Sequence, residues 1–281
     1  MKIITSAKEA QEYVIKAKKE GKKVGLVPTM GYFHEGHLSL MRKAREDCDL
    51  VVTSIFVNPT QFGPNEDYDR YPRDLNRDMA LAETVSVDVI FAPPVEEMYP
   101  PGYHTYVTVE SLTATLCGAS RPTHFRGVTT VVTKLFNIIQ PDLAYFGQKD
   151  AQQVTVIERM VADLNMPVQI VRVPIVREKD GLAMSSRNVY LSPEERKEAL
   201  VLSRSLAAAE SLVKAGERNG EKIKNHILSI IKGAPLAQID YVEIVNNQTL
   251  EPVEVLTGQV LIALAVRFGN TRLIDNLLLE V

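Results

Sequence analysis

Leu50-Val51-Val52-Thr53-Ser54-Ile55-Phe56-Val57 is apolar almost throughout and stops at Asn58-Pro59. A strand with one wet face alternates apolar and polar residues, whereas one that does not alternate is buried on both faces. Strands of that kind belong to parallel sheets whose crossover helices cover both sides. Further strands are predicted over 23–28, 87–91, 143–146 and 168–173, with a β-rich stretch over 105–109. Between them the spacing predicts helices. The first is opened by Ser6-Ala7-Lys8-Glu9, which has capping-box form, and ends near Gly21; others cover 38–47, 73–83, 128–139 and 151–164. A polar, proline-bearing loop is expected over 60–72. Strands alternating with helices imply right-handed crossovers and an α/β, Rossmann-like doubly wound parallel sheet.

The pattern changes after Arg187. Ser192-Pro193-Glu194-Glu195 opens a long helix expected to run toward Lys214, and 221–231 gives another. Stretches 239–245, 260–266 and 273–279 read as a small antiparallel sheet. A smaller C-terminal α+β domain is therefore expected, with a boundary between 184 and 191 and domains of 1–184 and 185–281. Lys and Arg number 32 against 35 Asp and Glu, a net charge of −3. That balance argues against bulk electrostatic binding of nucleic acid or an anionic membrane. The only cysteines are Cys48 and Cys117, so a disulfide framework is not expected. Met1–Ser6 lacks the apolar core of a signal peptide and no apolar run reaches membrane-spanning length; a soluble, cytoplasmic protein is the expectation.

The chemistry concentrates where strands hand over to helices. Pro28-Thr29-Met30-Gly31-Tyr32-Phe33-His34-Glu35-Gly36-His37 follows the first predicted strand of the alternating series and precedes a helix. Backbone N–H groups and the helix dipole attract phosphate there, glycines let a ligand approach the backbone, and protonated histidines can stabilise growing charge. A zincin would need histidines four apart on one helical face, and here a single glycine and glutamate separate them. Helix capping is the plainer alternative for the pair.

Asn58-Pro59-Thr60-Gln61-Phe62-Gly63 ends the second strand with two amides suited to hydroxyl and carboxylate groups, or forms a solvated proline turn. Phe146-Gly147-Gln148-Lys149-Asp150-Ala151-Gln152-Gln153 again joins strand to helix. Lys149 is placed to neutralise a phosphate and Gln153 lies one turn on; the alternative is a helix start capped by Asp150. Ala183-Met184-Ser185-Ser186-Arg187-Asn188 offers hydroxyls and a guanidinium for a triphosphate on an adjustable loop, or an interdomain linker. His124-Phe125-Arg126-Gly127 fits anion binding and helix capping equally.

At these motifs, and over essentially its whole length, the chain resembles the pantothenate synthetase, or pantoate–β-alanine ligase, family. The resemblance implies a two-step reaction. The carboxylate of (R)-pantoate attacks the α-phosphorus of ATP, giving pantoyl adenylate and pyrophosphate; the β-alanine amine then attacks the acyl carbon, giving pantothenate and AMP. It implies that ATP is held by Met30, Gly31, Tyr32, Phe33, His34, Glu35, Gly36 and His37, by Gly147, Gln148, Lys149 and Asp150, by the backbone of Val176, and by Met184, Ser185, Ser186 and Arg187. His37 takes the position usually given to a proton donor, with His34, Lys149 and Arg187 as further catalytic groups. Gln61 and Gln153 would bind pantoate, and Gln61, Asn58 and Arg126 β-alanine. Asp78 would help with Mg2+, which comes mainly through the ATP phosphates, or orient a histidine. No organic prosthetic group is implied, and a homodimer is.

Charge stabilisation and positioning are what in-line attack on phosphorus requires, and these cations and donors supply them. Because an acyl adenylate hydrolyses readily, the second domain and the 185–187 loop are expected to close as a lid. The nearest alternative is a nucleotidyltransferase that moves AMP onto a phosphorylated acceptor. A more distant one is a catalytically silent nucleotide sensor.

Overall fold

The computed structural model describes residues 1–64 and 66–281; Asn65, inside the loop expected over 60–72, lies outside the described residues. In chain order the elements are β1 (Lys2–Ile4), α1 (Ala7–Lys19), β2 (Val24–Thr29), α2 (Glu35–Asp47), β3 (Leu50–Ile55), α3 (Leu75–Thr84), β4 (Val89–Phe91), α4 (Val95–Met98), α5 (Leu116–Ser120), α6 (His124–Ile139), β5 (Leu143–Gly147), α7 (Ala151–Asp163), β6 (Gln169–Val173), α8 (Pro193–Glu198), α9 (Val201–Lys214), α10 (Gly220–Lys232), β7 (Ala237–Asn246), β8 (Gln259–Phe268) and β9 (Thr271–Glu280).

The first six strands form one parallel sheet in the order β1-β4-β3-β2-β5-β6. Val51, Val52, Ile90 and Ala144 are fully enclosed in it, as non-alternating strands require. From β2 the chain winds through β3 to β4, then returns to lay β5 on the opposite side of β2. The carboxyl ends of β2 and β5 therefore flank the topological switch point, where open α/β sheets take their ligands. The last three strands form the antiparallel sheet β7-β8-β9. This is the expected α/β architecture with a smaller α+β part.

The chain gathers into two compact units. One comprises Met1–Glu110, Arg121–Gln148 and Val156–Pro174; the other comprises Ser111–Ser120, Lys149–Thr155 and Ile175–Val281. Residues 175–184, ahead of the boundary expected at 184/185, cluster with the second unit, as do two short segments from earlier in the chain. The core of the second unit is built from Leu202, Leu206, Ile223 and Ile227 of its helices against Ile262, Leu264 and Val266 of β8.

Several elements differ from expectation. The β-rich stretch 105–109 is not a strand. Hydroxyls of α6 replace a ladder there: Val107 N–H donates to Thr130 Oγ1 at 3.0 Å and Thr129 Oγ1 donates to Val107 C=O at 2.6 Å. The long helix from Ser192 is two helices, α8 and α9, separated at Ala199–Leu200, where a tight Leu202 N–H to Ala199 C=O bond of 3.2 Å interrupts the regular pattern. Ser6 makes no side-chain cap; Ala7 N–H donates instead to Glu97 Oε1 at 2.7 Å. β1 escaped the pattern because a three-residue strand carries no periodicity. Cys48 and Cys117 are free, buried thiols, and no described helix is long and apolar enough to cross a membrane.

Candidate active site

β2 leads into a turn that is held at both ends. Thr29 Oγ1 donates to Ser54 C=O at 2.7 Å and accepts from Gly31 N–H at 3.1 Å. Gly31 and Tyr32 both adopt left-handed backbone, with φ of +84° and +53°. Glycine takes that conformation at no steric cost, but tyrosine does not. The compensating contact comes from Asp78 in the first turn of α3, which is 1% exposed. Its carboxylate accepts Tyr32 N–H at 2.7 Å and Phe33 N–H at 2.6 Å. Burial pushes the Asp78 carboxyl above its ordinary range, against the pull of those two N–H bonds and of Arg77.

With each oxygen accepting a backbone N–H, Asp78 anchors the turn. No group of three or more His, Cys, Asp or Glu among the described residues gathers in metal-binding geometry. Asp78→Asn replaces one acceptor by an NH2 that faces a backbone N–H. It is expected to destabilise the protein by about 1–3 kcal/mol, measured by denaturant unfolding, with adenylation impaired in the folded fraction.

The turn delivers the chain to α2, which begins at Glu35, earlier than the predicted start at 38, because His34 caps it. His34 Nδ1 accepts Gly36 N–H at 3.1 Å, and His37 Nδ1 accepts His34 N–H at 3.3 Å. This reciprocal pair is a capping box made of imidazoles. An imidazole that accepts through Nδ1 carries its proton on Nε2. Both rings are therefore set as Nε2–H donors in their neutral form, and a proton on Nδ1 would break a cap. Their centroids lie 4.1 Å apart, and the buried Phe33 packs against His37 at 5.6 Å. Capping and ligand-directed donation are thus compatible roles of one pair. Across the switch point, Gly147 ends β5, and a Cβ placed on it would meet no atom within 4 Å. Gln148 follows, its Oε1 accepting from Arg172 at 3.3 Å.

The turn after β3 is a separate construction. Asn58 is 1% exposed and its amide is fully used. Oδ1 accepts from Thr60 N–H (3.3 Å), Thr60 Oγ1 (2.9 Å) and Tyr99 Oη (2.9 Å); Nδ2 donates to Gln61 Oε1 (3.1 Å) and Gly127 C=O (3.1 Å). Burial pushes the Tyr99 phenol up to about 12, so it remains a donor at neutral pH. Asn58 therefore orients Gln61 and does not offer its own amide to a ligand, contrary to the β-alanine role implied by resemblance.

The Gln61 carbonyl accepts from His124 Nδ1 at 2.9 Å and Arg121 at 3.2 Å. Its Nε2 donates to the Met30 sulfur at 3.1 Å. A thioether is a weak acceptor, so a carboxylate or hydroxyl would displace it with gain. Arg126 is exposed in the first turn of α6, with its guanidinium 4.0 Å from the centre of the Tyr106 ring.

The remaining predicted residues belong to the second unit. Lys149 has its backbone C=O held by Asn276 Nδ2 at 2.9 Å, and its ammonium lies 3.9 Å from Asp150. Gln153 is half-buried in the first turn of α7. Beside it the buried Gln152 clasps residues 112–117, accepting from Cys117 N–H at 2.9 Å and donating to Leu112 and Thr115 C=O at 2.9 and 2.8 Å. Residues 176–184 form a paired hairpin. Met184 N–H donates to Val176 C=O at 3.0 Å, Arg177 bridges Ala183, and Gly181 turns the tip with φ +99°. Ser185 then caps a short 3-10 turn over Ser186–Tyr190, its Oγ accepting Arg187 N–H at 3.2 Å. Asn188 and Arg196 both bond Glu178, tying the segment to the hairpin.

A family model described as pantoate-beta-alanine ligase matches residues 2–278. The chain belongs to that family. It is 63% identical over 281 residues, all of both chains, to a pantothenate synthetase of Acetivibrio thermocellus, and equally to one of Heliobacterium modesticaldum. A crystal structure of pantothenate synthetase from Thermus thermophilus superposes with a TM-score of 0.94 at 49% identity, covering 99% of each chain. The ligase from Francisella tularensis, complexed with beta-gamma ATP and beta-alanine, superposes at 0.80 with 35% identity over 99% of this chain and 97% of that one.

In this ligase, the residues that sequence reasoning missed are those that hold others in place. Gln152, Arg177, Asp275 and Asn276 fall outside every handover motif or were overshadowed within one. The available signal was polarity in an apolar context, as in Leu273-Ile274-Asp275-Asn276-Leu277-Leu278.

Proposed function

We propose that this chain joins (R)-pantoate to β-alanine with ATP as co-substrate, through pantoyl adenylate, releasing pyrophosphate and AMP. The observation that carries the reading is the pair of reciprocally capped imidazoles, set as Nε2–H donors at the switch point of the sheet. The triphosphate lies against Met30–His37 and Gly147–Asp150, with Val176 at the adenine and Met184–Arg187 at the phosphates. His34 and His37 donate to phosphate oxygens as charge grows on them, and His37 supplies the proton-donor position. Lys149 and Arg187 offset the charge of the leaving pyrophosphate.

Gln61 and Gln153 orient pantoate so that its carboxylate points at the α-phosphorus, and Gln61 then helps place β-alanine, with Arg126 at its carboxylate. Attack by the β-alanine amine on the acyl carbon forms the amide and expels AMP. Mg2+ accompanies the nucleotide on its phosphates; bound there, it neutralises phosphate charge. The second unit and the 185–187 segment close over the adenylate, and the enzyme works as a cytoplasmic homodimer. ATP is expected to slow hydrogen exchange across 178–190; unchanged exchange contradicts closure.

The deciding assay is incubation with ATP and pantoate, with and without β-alanine. Pantoate-dependent ATP–pyrophosphate exchange, with AMP and amide forming only when both substrates are present, is expected. AMP transfer to a phosphorylated acceptor would instead establish a nucleotidyltransferase. Gln61→Ala removes the donor that Asn58 holds, so kcat/KM for pantoate is expected to fall about 100-fold with ATP affinity retained. A selective loss of ATP affinity would contradict the assignment.

A further inference from the structure

β9 alternates buried and more exposed positions until Asp275 and Asn276, two adjacent polar residues that are both buried, at 2% and 4% exposure. They sit on an edge strand, opposite Leu264 and Ala263 of β8. Burial of a carboxylate and an amide is costly unless both are satisfied. Each is satisfied by a different segment of the second unit. Asp275 takes a bidentate pair from Arg177, at 2.6 and 2.9 Å, at the base of the 176–184 hairpin. Asn276 Nδ2 donates to the Lys149 carbonyl at 2.9 Å. Asn276 N–H donates back to Asp275 Oδ1 at 2.8 Å, which fixes the carboxylate that Arg177 meets. Arg177 also donates to Gly181 C=O at 3.2 Å, so the same guanidinium braces the hairpin tip. Neighbouring strand residues point to opposite faces, which lets one dipeptide hold two segments at once.

We propose that Asp275 and Asn276 are positioning residues for adenylation: together they set the spacing between the Lys149 backbone and the hairpin that carries Ser185–Arg187. The inference rests on the reading of those two segments as nucleotide-binding. Both act through the segments they hold. Their contribution is geometric, and misplacement of a charged group by about 1 Å is enough to cost about 100-fold in rate.

The test is pantoate-dependent ATP–pyrophosphate exchange together with thermal unfolding. The double variant Arg177→Met/Asp275→Leu replaces both partners of the buried ion pair by apolar side chains of similar size, a change that is often neutral for stability, and its Tm is expected to stay near that of the parent. Asn276→Leu removes the donor to the Lys149 C=O, which is expected to lower its Tm, so its exchange is read per folded molecule. Each is expected to keep its KM for pantoate and lose about 100-fold in exchange kcat per folded molecule, whereas a purely structural role predicts an unchanged rate per folded molecule. Arg177→Lys, which keeps the charge and loses the fork, guards against misfolding of the others. It is expected to fold normally and lose about tenfold. Parental exchange rates in folded Asn276→Leu and Arg177→Lys overturn the proposal. Lys149→Ala is run alongside: parental exchange there sinks the nucleotide-binding reading itself, whereas loss there with parental rates in the clamp variants sinks this inference alone.

Discussion

His37→Ala is expected to lower pantoate-dependent ATP–pyrophosphate exchange by about 100- to 1,000-fold, the usual cost of removing a donor aimed at developing charge. The substitution also removes a helix cap, because His37 Nδ1 accepts His34 N–H. About 1 kcal/mol of stability should go with it. The two effects separate in His37→Gln. Glutamine at the third helical position restores the capping-box acceptor but cannot place a donor where the imidazole Nε2–H lies. Its Tm is expected to return toward the parent while exchange stays low. Recovery of exchange in step with Tm would mean that His37 matters only as a cap.

Gly127→Ala is expected to injure the pantoate side of the reaction as severely as His37→Ala injures the ATP side. A Cβ at position 127 would lie 2.4 Å from the Thr60 carbonyl oxygen and 2.6 Å from the Gln61 nitrogen. Both are backbone atoms, so no side chain can swing away. The 58–61 turn must shift, and with it the Asn58 amide that bonds both Gly127 C=O and Gln61 Oε1. Overpacking of this kind costs about 1–3 kcal/mol. The displacement of Gln61 should reduce kcat/KM for pantoate by about 100-fold while nucleotide binding is retained. A variant with parental Tm and parental pantoate kinetics would show that the close approach of α6 to the turn is not needed.

The centre of the parallel sheet was legible because strands such as β3 and β4 are buried on both faces, and that burial is written in runs such as Leu50–Ile55 without reference to anything distant. Helix starts were less legible. α2 begins at a histidine cap, and histidine is not among the residues that ordinarily announce a cap. The stretch 105–109 had strand composition, but its backbone partners are the hydroxyls of Thr129 and Thr130, which only the folded α6 brings near. The handover motifs of the site were visible because glycine, histidine and lysine at strand ends have few structural reasons to cluster. What each residue does there was not. Asn58 reads as a ligand contact until its burial and fully used amide identify it as a support, and Asp78 gives no sequence sign that it holds the backbone of Tyr32 and Phe33. A support is defined by partners far away in sequence, as Asp78 is by Tyr32 and Asn276 by Lys149, so local pattern holds little record of it.

The most direct test is a crystal structure with ATP and pantoate bound. Phosphate oxygens within hydrogen-bonding distance of Nε2 on both His34 and His37, with the pantoate carboxylate facing the α-phosphorus, are predicted. A triphosphate seated away from the two imidazoles, or Nε2 atoms turned from it with their Nδ1 caps broken, would contradict the account.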